Sequence, residues 1–83
     1  MARYWVLVSH ELMRSDDLQW PHGLRPVKQA EDGPGPSADC AWWLFEDDSA
    51  PAELEGRRVE LEFGASYDEG GKTPVITDRR VMT

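Results

Sequence analysis

The chain has few of the residues from which small proteins often build disulfide or metal frameworks. It contains one cysteine, Cys40, in 83 residues, so no disulfide bond can form within it. Small secreted domains usually carry several disulfide bonds, and a single cysteine therefore favours the cytoplasm. The two histidines, His10 and His22, do not have the spacing of a metal-binding motif relative to Cys40 or to each other. We therefore expect no metal site and no cofactor.

Basic residues are also scarce. Nine lysines and arginines stand against sixteen aspartates and glutamates, and the formal net charge is -7. Because contacts with phosphates require lysine and arginine, this charge argues against nucleic acid as the partner. Repulsion between like charges also opposes docking on an anionic membrane. A basic protein partner is compatible with the charge.

Long apolar runs and long helical patterns are absent. The apolar run near the N-terminus is interrupted by Ser9, His10 and Glu11, and it is too short for a signal peptide or a membrane span. No internal repeat is present. The length is that of one domain, covering residues 1–83.

The chain does contain several short segments of strand character. Bulky and β-branched residues predict strands over residues 3–9, 24–31, 40–45, 57–63 and 74–82. Pro26 either confines the second of these to the edge of a sheet or must lie among the first residues of the strand. Glycine and proline predict a loop over residues 32–37 and a single helical turn over residues 51–56.

The last two strands are expected to form a hairpin. Residues 64–73 would connect them, with a turn at Asp68-Glu69-Gly70-Gly71. On the outer side of this hairpin, opposite charges are expected to pair across the strands: Glu60 or Glu62 with Arg79 or Arg80.

These segments predict an all-β fold, a small twisted antiparallel sheet or open barrel of four to five strands. No connection has room for a crossover helix, which favours antiparallel pairing. Residues 10–20 indicate a loop or a single helical turn with Leu18 and Trp20 directed inward, because Pro21 stops a longer helix. The alternative is an α+β fold in which a short helix from His10 to Gln19 covers one face of the sheet.

The segment Cys40–Phe45 is the most informative part of the chain. Alternate residues of a strand face opposite sides, so Trp42 and Trp43 diverge and both faces of this strand are apolar. Residues 3–9 have the same property. One face belongs to the core, and the other needs cover from residues 13–20, from a second subunit or from a ligand.

The function that these features favour is a non-catalytic, acidic protein-interaction module, such as an accessory subunit, an inhibitor or an antitoxin-like protein. The expected binding residues are Trp5, Trp20, Trp42 and Trp43, with Glu46, Asp47 and Asp48 around the aromatic face. Arg57-Arg58 and Arg79-Arg80 could form one small basic patch on the hairpin, a secondary candidate site for a carboxylate or phosphate. Tryptophan is enriched at binding hot spots. The same face could instead support a homodimer. The alternative function is a small-molecule-binding protein or small enzyme with an aromatic pocket, in which His10 or His22 provides acid–base chemistry.

Overall fold

The computed structural model describes residues 1–15, 18–31 and 39–82. Five strands make up most of this part of the chain: β1 (Ala2–Ser9), β2 (Leu24–Gln29), β3 (Cys40–Asp47), β4 (Val59–Asp68) and β5 (Gly71–Val81). A single helical turn, α1 (His10–Met13), and a 3-10 turn, Ala52–Leu54, complete the elements. The predicted all-β class is therefore confirmed, and the helix of the α+β alternative is limited to one turn. The predicted loop at residues 32–37 lies outside the described residues.

Three of the strands form one antiparallel sheet in the order β1–β3–β2. β1 and β3 pair along their whole lengths, from Ala2 opposite Asp47 to Ser9 opposite Cys40. β2 pairs with the other side of β3, and its register shifts between Pro26 and Lys28. Pro26 lacks a backbone N–H, and β2 tolerates it because the strand lies at the edge of the sheet, as predicted.

β4 and β5 form a long antiparallel hairpin. Its turn contains only Glu69 and Gly70, and the Asp68 carboxylate accepts a hydrogen bond of 2.9 Å from the Gly70 N–H. The predicted turn signal is confirmed, but the predicted connection over residues 64–73 is wrong. Most of these residues continue the strands, because Gly64–Asp68 pair with Gly71–Val75.

The hairpin meets the three-stranded sheet along one short stretch of β1. The Trp5 N–H donates to the Arg57 carbonyl and the Gly56 N–H donates to the Arg3 carbonyl, both at 2.8 Å. Trp5 and Arg58 form a single parallel bridge. No further bridge joins β1 to the hairpin in the described residues, so the molecule consists of two antiparallel sheets that are not closed into a barrel.

The core lies on the inner face of the three-stranded sheet, against the base of the hairpin. Its largest apolar members are Tyr4, Val6, Val8, Leu24, Phe45, Leu54 and Val59. Met13 and Trp20 pack against this cluster, and the Trp20 ring meets the Phe45 ring edge-on at 5.0 Å between centroids. Residues 13 and 20 therefore cover the inner face, and the predicted inward position of Trp20 is confirmed.

Candidate functional site

The opposite face of the three-stranded sheet carries the candidate site. Side chains alternate along a strand, so Trp5 and Leu7 of β1 point away from the core together with Trp42 and Leu44 of β3. Trp5 lies opposite Leu44, and Leu7 lies opposite Trp42. All four side chains are only partly buried. We call this patch of Trp5, Leu7, Trp42 and Leu44 the outer face.

A groove of about 360 Å³ crosses the outer face beside Trp5 and Trp42. Its other lining residues are Lys28, Ala30, Glu31 and Arg58. The Arg58 guanidinium lies over the Trp42 ring, with 4.8 Å between Cζ and the ring centroid. This is the geometry of a cation–π contact. The parallel bridge to Trp5 holds Arg58 at this position, so the groove depends on the junction between β1 and the start of β4.

A cluster of ion pairs closes one end of the outer face. Arg25 contacts both Glu46 and Asp48, with 2.9 Å between its Nη2 and Oδ1 of Asp48, and Arg3 lies 3.0 Å from Glu46. Hydrogen bonds from Arg25, and then from Arg3, lower the pKa of Glu46, and those from Arg25 lower the pKa of Asp48. These two carboxylates are therefore ionised and already paired within the chain.

Asp47 does not belong to this rim, contrary to the sequence-based prediction. It is 2% exposed and lies on the inner face with Phe45, because β3 continues to residue 47. Its carboxylate accepts hydrogen bonds from the Tyr4 hydroxyl, from Nε of Arg79 at 2.7 Å and from the Ser49 N–H at 3.0 Å. Burial alone would raise the pKa of Asp47, but these hydrogen bonds outweigh burial and lower it. Asp47 is thus a structural anion.

The predicted basic patch of Arg57-Arg58 and Arg79-Arg80 does not form, since Arg58 lies over Trp42 on the outer face. Adjacent residues of a strand face opposite sides, so Arg79 points inward to Asp47 while Arg80 points outward. Arg80 lies 2.7 Å from Asp78 and 3.4 Å from Glu62. The predicted pairing of Glu62 with Arg80 across the hairpin is therefore confirmed, and both arginines are engaged by carboxylates.

The four tryptophans divide between the two faces of the sheet. Trp5 and Trp42 come together on the outer face, whereas Trp20 and Trp43 pack against the core on the inner face. The predicted divergence of Trp42 and Trp43 is confirmed. The indole Nε1 of Trp43 is buried and has no hydrogen-bond partner among the described residues. Only Trp5 and Trp42 are placed to contact a ligand on the outer face.

The remaining candidates for chemistry lie away from the groove. His10 begins α1, and His22 occupies an exposed turn before β2. Within residues 1–15, 18–31 and 39–82, no group of three or more histidine, cysteine, aspartate or glutamate residues could hold a metal ion. In the same ranges, no helix has the length and apolar character needed to cross a membrane.

Sequence reasoning missed Lys28, and it assigned Arg58 to a basic patch on the hairpin and not to the groove beside Trp42. Arg58 reaches Trp42 only because residues 56–58 run beside β1, and no spacing in the sequence signals that contact. Lys28 joins the same face through the register shift of β2, which places it opposite Leu44.

No family model, curated protein or solved structure matches this chain.

Proposed function

We propose that this chain is a non-catalytic protein-interaction module of the cytoplasm that binds a protein partner through the outer face. The observation that carries the proposal is that Trp5 and Trp42, both partly exposed, line one groove on the side of the sheet opposite the core. Tryptophan is among the residues that dominate binding energy at interfaces. Contiguous apolar patches on a protein surface commonly mark interaction sites.

A comparison within the molecule supports this interpretation. The solvated face of an antiparallel sheet normally carries polar side chains. β4 follows that rule, since Glu60 and Glu62 are exposed on the outer side of the hairpin. β1 and β3 do not follow it, because their outer sides carry two tryptophans and two leucines. Single apolar residues such as Phe63 and Tyr67 are exposed on the hairpin, but on β1 and β3 four apolar side chains lie side by side on one face.

A basic partner, which the net charge suggests, finds less support at this site. That hypothesis relied on carboxylates around the aromatic residues. Glu46 and Asp48 are paired with Arg25, and Asp47 is buried. Self-association through the outer face is the other protein interface to test, by sedimentation velocity over a range of concentrations.

A small-molecule ligand is the second candidate function. The groove volume of about 360 Å³ lies at the lower end of the range for ligand pockets, roughly 300–1,000 Å³. Two indole rings and two cations would suit a planar anion. Neither His10 nor His22 lines this groove, so the enzymatic form of the hypothesis lacks both of its predicted acid–base groups at the site.

The proposal is tested with a display library of random short peptides panned on the purified protein. Affinities of selected peptides are then measured for the wild type and for Trp42→Ser and Trp5→Ser. We expect each substitution to weaken binding about tenfold or more, as loss of a hot-spot tryptophan does. Tyr67→Ser is the matched control, because Tyr67 is an exposed aromatic residue (77%) at the far end of the hairpin.

Two outcomes would contradict the proposal. In the first, the selected peptides bind the serine variants as tightly as they bind the wild type. In the second, both serine variants fail to fold, as seen by circular dichroism, while Trp42→Leu binds the peptides as tightly as the wild type. Trp42→Leu keeps apolar cover on the sheet but removes the indole. The second outcome would make the outer face a structural surface.

A further inference from the structure

The groove contains two cations that lack an ion-pair partner in the described part of the chain. Four other arginines each lie within 4.0 Å of a carboxylate: Arg3, Arg25, Arg79 and Arg80. Arg58 instead stacks on Trp42, and no carboxylate of residues 1–15, 18–31 or 39–82 pairs with it or with Lys28. Arg14, Arg57 and Lys72 also have no ion pair within the described residues, but Arg58 and Lys28 are the ones that line the groove beside Trp5 and Trp42.

We propose that the partner segment bound in this groove is acidic: a short extended peptide that presents a carboxylate beside an apolar side chain. The inference rests on the proposed function and adds the chemistry of the partner. The carboxylate would lie between Arg58 and Lys28, and the apolar side chain would pack on Trp5 and Trp42. The argument is charge complementarity at a defined place on the surface.

Arg58 is suited to this role because of its stacked position. A guanidinium that contacts an aromatic face still has its N–H donors available for a carboxylate. The contact with Trp42 also restricts the side chain before the ligand arrives, which lowers the entropy cost of binding. Lys28 adds a second charge from the edge strand, and Glu31 is the one carboxylate that lines the same groove.

A peptide fits this site better than a single-stranded nucleic acid. Indole rings and basic side chains can also stack bases and hold phosphates. A phosphate backbone, however, extends its charge beyond the groove and meets the negative charge of the whole molecule. A single carboxylate needs only the two local cations, because charges farther away than about 8–10 Å are largely screened at physiological salt.

The test uses fluorescein-labelled peptide pools of one length and three compositions. The first pool alternates Glu with Leu or Phe, the second replaces Glu with Gln, and the third replaces Glu with Lys. A labelled oligothymidine of similar length is the nucleic-acid probe. Affinities are measured by fluorescence anisotropy for the wild type, Lys28→Gln, Arg58→Gln and Arg80→Gln. Arg80→Gln is the matched control, since Arg80 is an exposed arginine of the hairpin.

We expect the Glu pool to bind about tenfold more tightly than the Gln pool, with an affinity that falls as salt is raised. Lys28→Gln and Arg58→Gln should each remove most of that preference, while Arg80→Gln should keep it. Lys28 lies exposed on an edge strand, so this variant tests the inference even if Arg58→Gln fails to fold.

Three results would overturn the inference. If the Gln pool binds as well as the Glu pool and Trp42→Ser abolishes both, the proposed function stands and the acidic partner is wrong. If oligothymidine binds more tightly than every peptide, the ligand is a nucleic acid. If no pool binds the wild type, both the acidic partner and the peptide-binding function lose their basis.

Discussion

Nε of Arg79 on β5 lies 2.7 Å from Oδ2 of Asp47 on β3, and this ion pair joins the hairpin to the three-stranded sheet. The Tyr4 hydroxyl on β1 donates to the same carboxylate oxygen. Three strands that are distant in sequence therefore meet at one buried anion. Among the described residues, a single backbone bridge, from Trp5 to Arg58, joins β1 to the chain leading into β4, so this network is a principal link between the two sheets.

Removing the arginine should destabilise the fold strongly. Arg79→Met keeps much of the side-chain bulk but leaves Asp47 as a buried charge without its cation. The loss of one partner of a buried pair costs about 3 kcal/mol of unfolding free energy. Urea denaturation followed by tryptophan fluorescence measures this value. Arg80→Met, which removes only an exposed ion pair, is the control and should change the midpoint little. Equal effects of the two substitutions would show that Arg79 does not link the sheets.

Acid should weaken the same network. The pKa of Asp47 in the folded protein lies below that of an unfolded aspartate, about 3.9. Its ionised form therefore adds stability above about pH 4, and this contribution is lost as the pH falls through the folded-state pKa. Asp47→Asn should be less stable at neutral pH and should lose less stability on acidification. Unfolding free energies measured between about pH 2 and 7 test this.

High salt should distinguish the contribution of Asp47 to acid stability from the contributions of the exposed carboxylates. The pKa of Asp48 is also lowered, but its ion pair with Arg25 is exposed and is screened by salt. In high salt, Asp48→Asn and the wild type should therefore show the same acid transition. The wild type and Asp47→Asn should still differ in how much unfolding free energy they lose on acidification. If that difference disappears in high salt, Asp47 is accessible to solvent.

Strand positions were largely predictable from hydrophobic alternation, but the choice of core face was not. Residues 3–9 and 40–45 are apolar on both sides, so periodicity alone could not say whether Trp42 or Trp43 faces the core. The inner face is the one that tertiary contacts cover, among them the packing of Trp20 on Phe45. The position of Pro26 at a sheet edge was predictable because proline lacks a backbone donor.

The position of Asp47 illustrates what local patterns miss. Three carboxylates after Phe45 indicated a turn, yet β3 extends two residues further and carries Asp47 inward. A buried aspartate at that point is tolerated only because Arg79, 32 positions away in sequence, supplies the opposite charge. The groove has the same origin, since Arg58 reaches Trp42 through a tertiary contact. Local sequence carries no signal for either pair.

Position 64 in the hairpin should tolerate only glycine, because a neighbouring methyl group leaves no room for a Cβ. A Cβ on Gly64 would lie 2.7 Å from Cγ2 of Thr77. The Thr77 hydroxyl donates to the Glu62 carbonyl at 3.1 Å, which opposes rotation of that side chain. Gly64→Ala should therefore lower the unfolding free energy by about 1 kcal/mol.

Thr77→Ser provides the matching rescue, because serine keeps the hydroxyl and lacks the methyl group. Gly64→Ala combined with Thr77→Ser should be more stable than the sum of the two single effects predicts. A double-mutant cycle from thermal or urea unfolding gives this coupling. Strict additivity would rule out the steric contact as the cause.

The charge around the outer face can be measured without any ligand. Trp20→Phe combined with Trp43→Phe leaves Trp5 and Trp42 as the only tryptophans of the chain. Iodide and caesium ions quench exposed indoles by collision, and a positive surrounding concentrates iodide while it repels caesium. Because Lys28 and Arg58 line the groove, iodide should quench the remaining fluorescence more efficiently than caesium at low ionic strength, despite the net charge of -7.

Adding Lys28→Gln to this variant should lower the quenching constant for iodide and raise the quenching constant for caesium. Adding Arg80→Gln removes the same charge from the hairpin and should leave both constants nearly unchanged. The neutral quencher acrylamide reports whether the exposure of the indoles has changed. If caesium quenches more efficiently than iodide before Lys28 is altered, the field of the whole acidic molecule outweighs the two local cations. An acidic partner segment would then have no electrostatic basis.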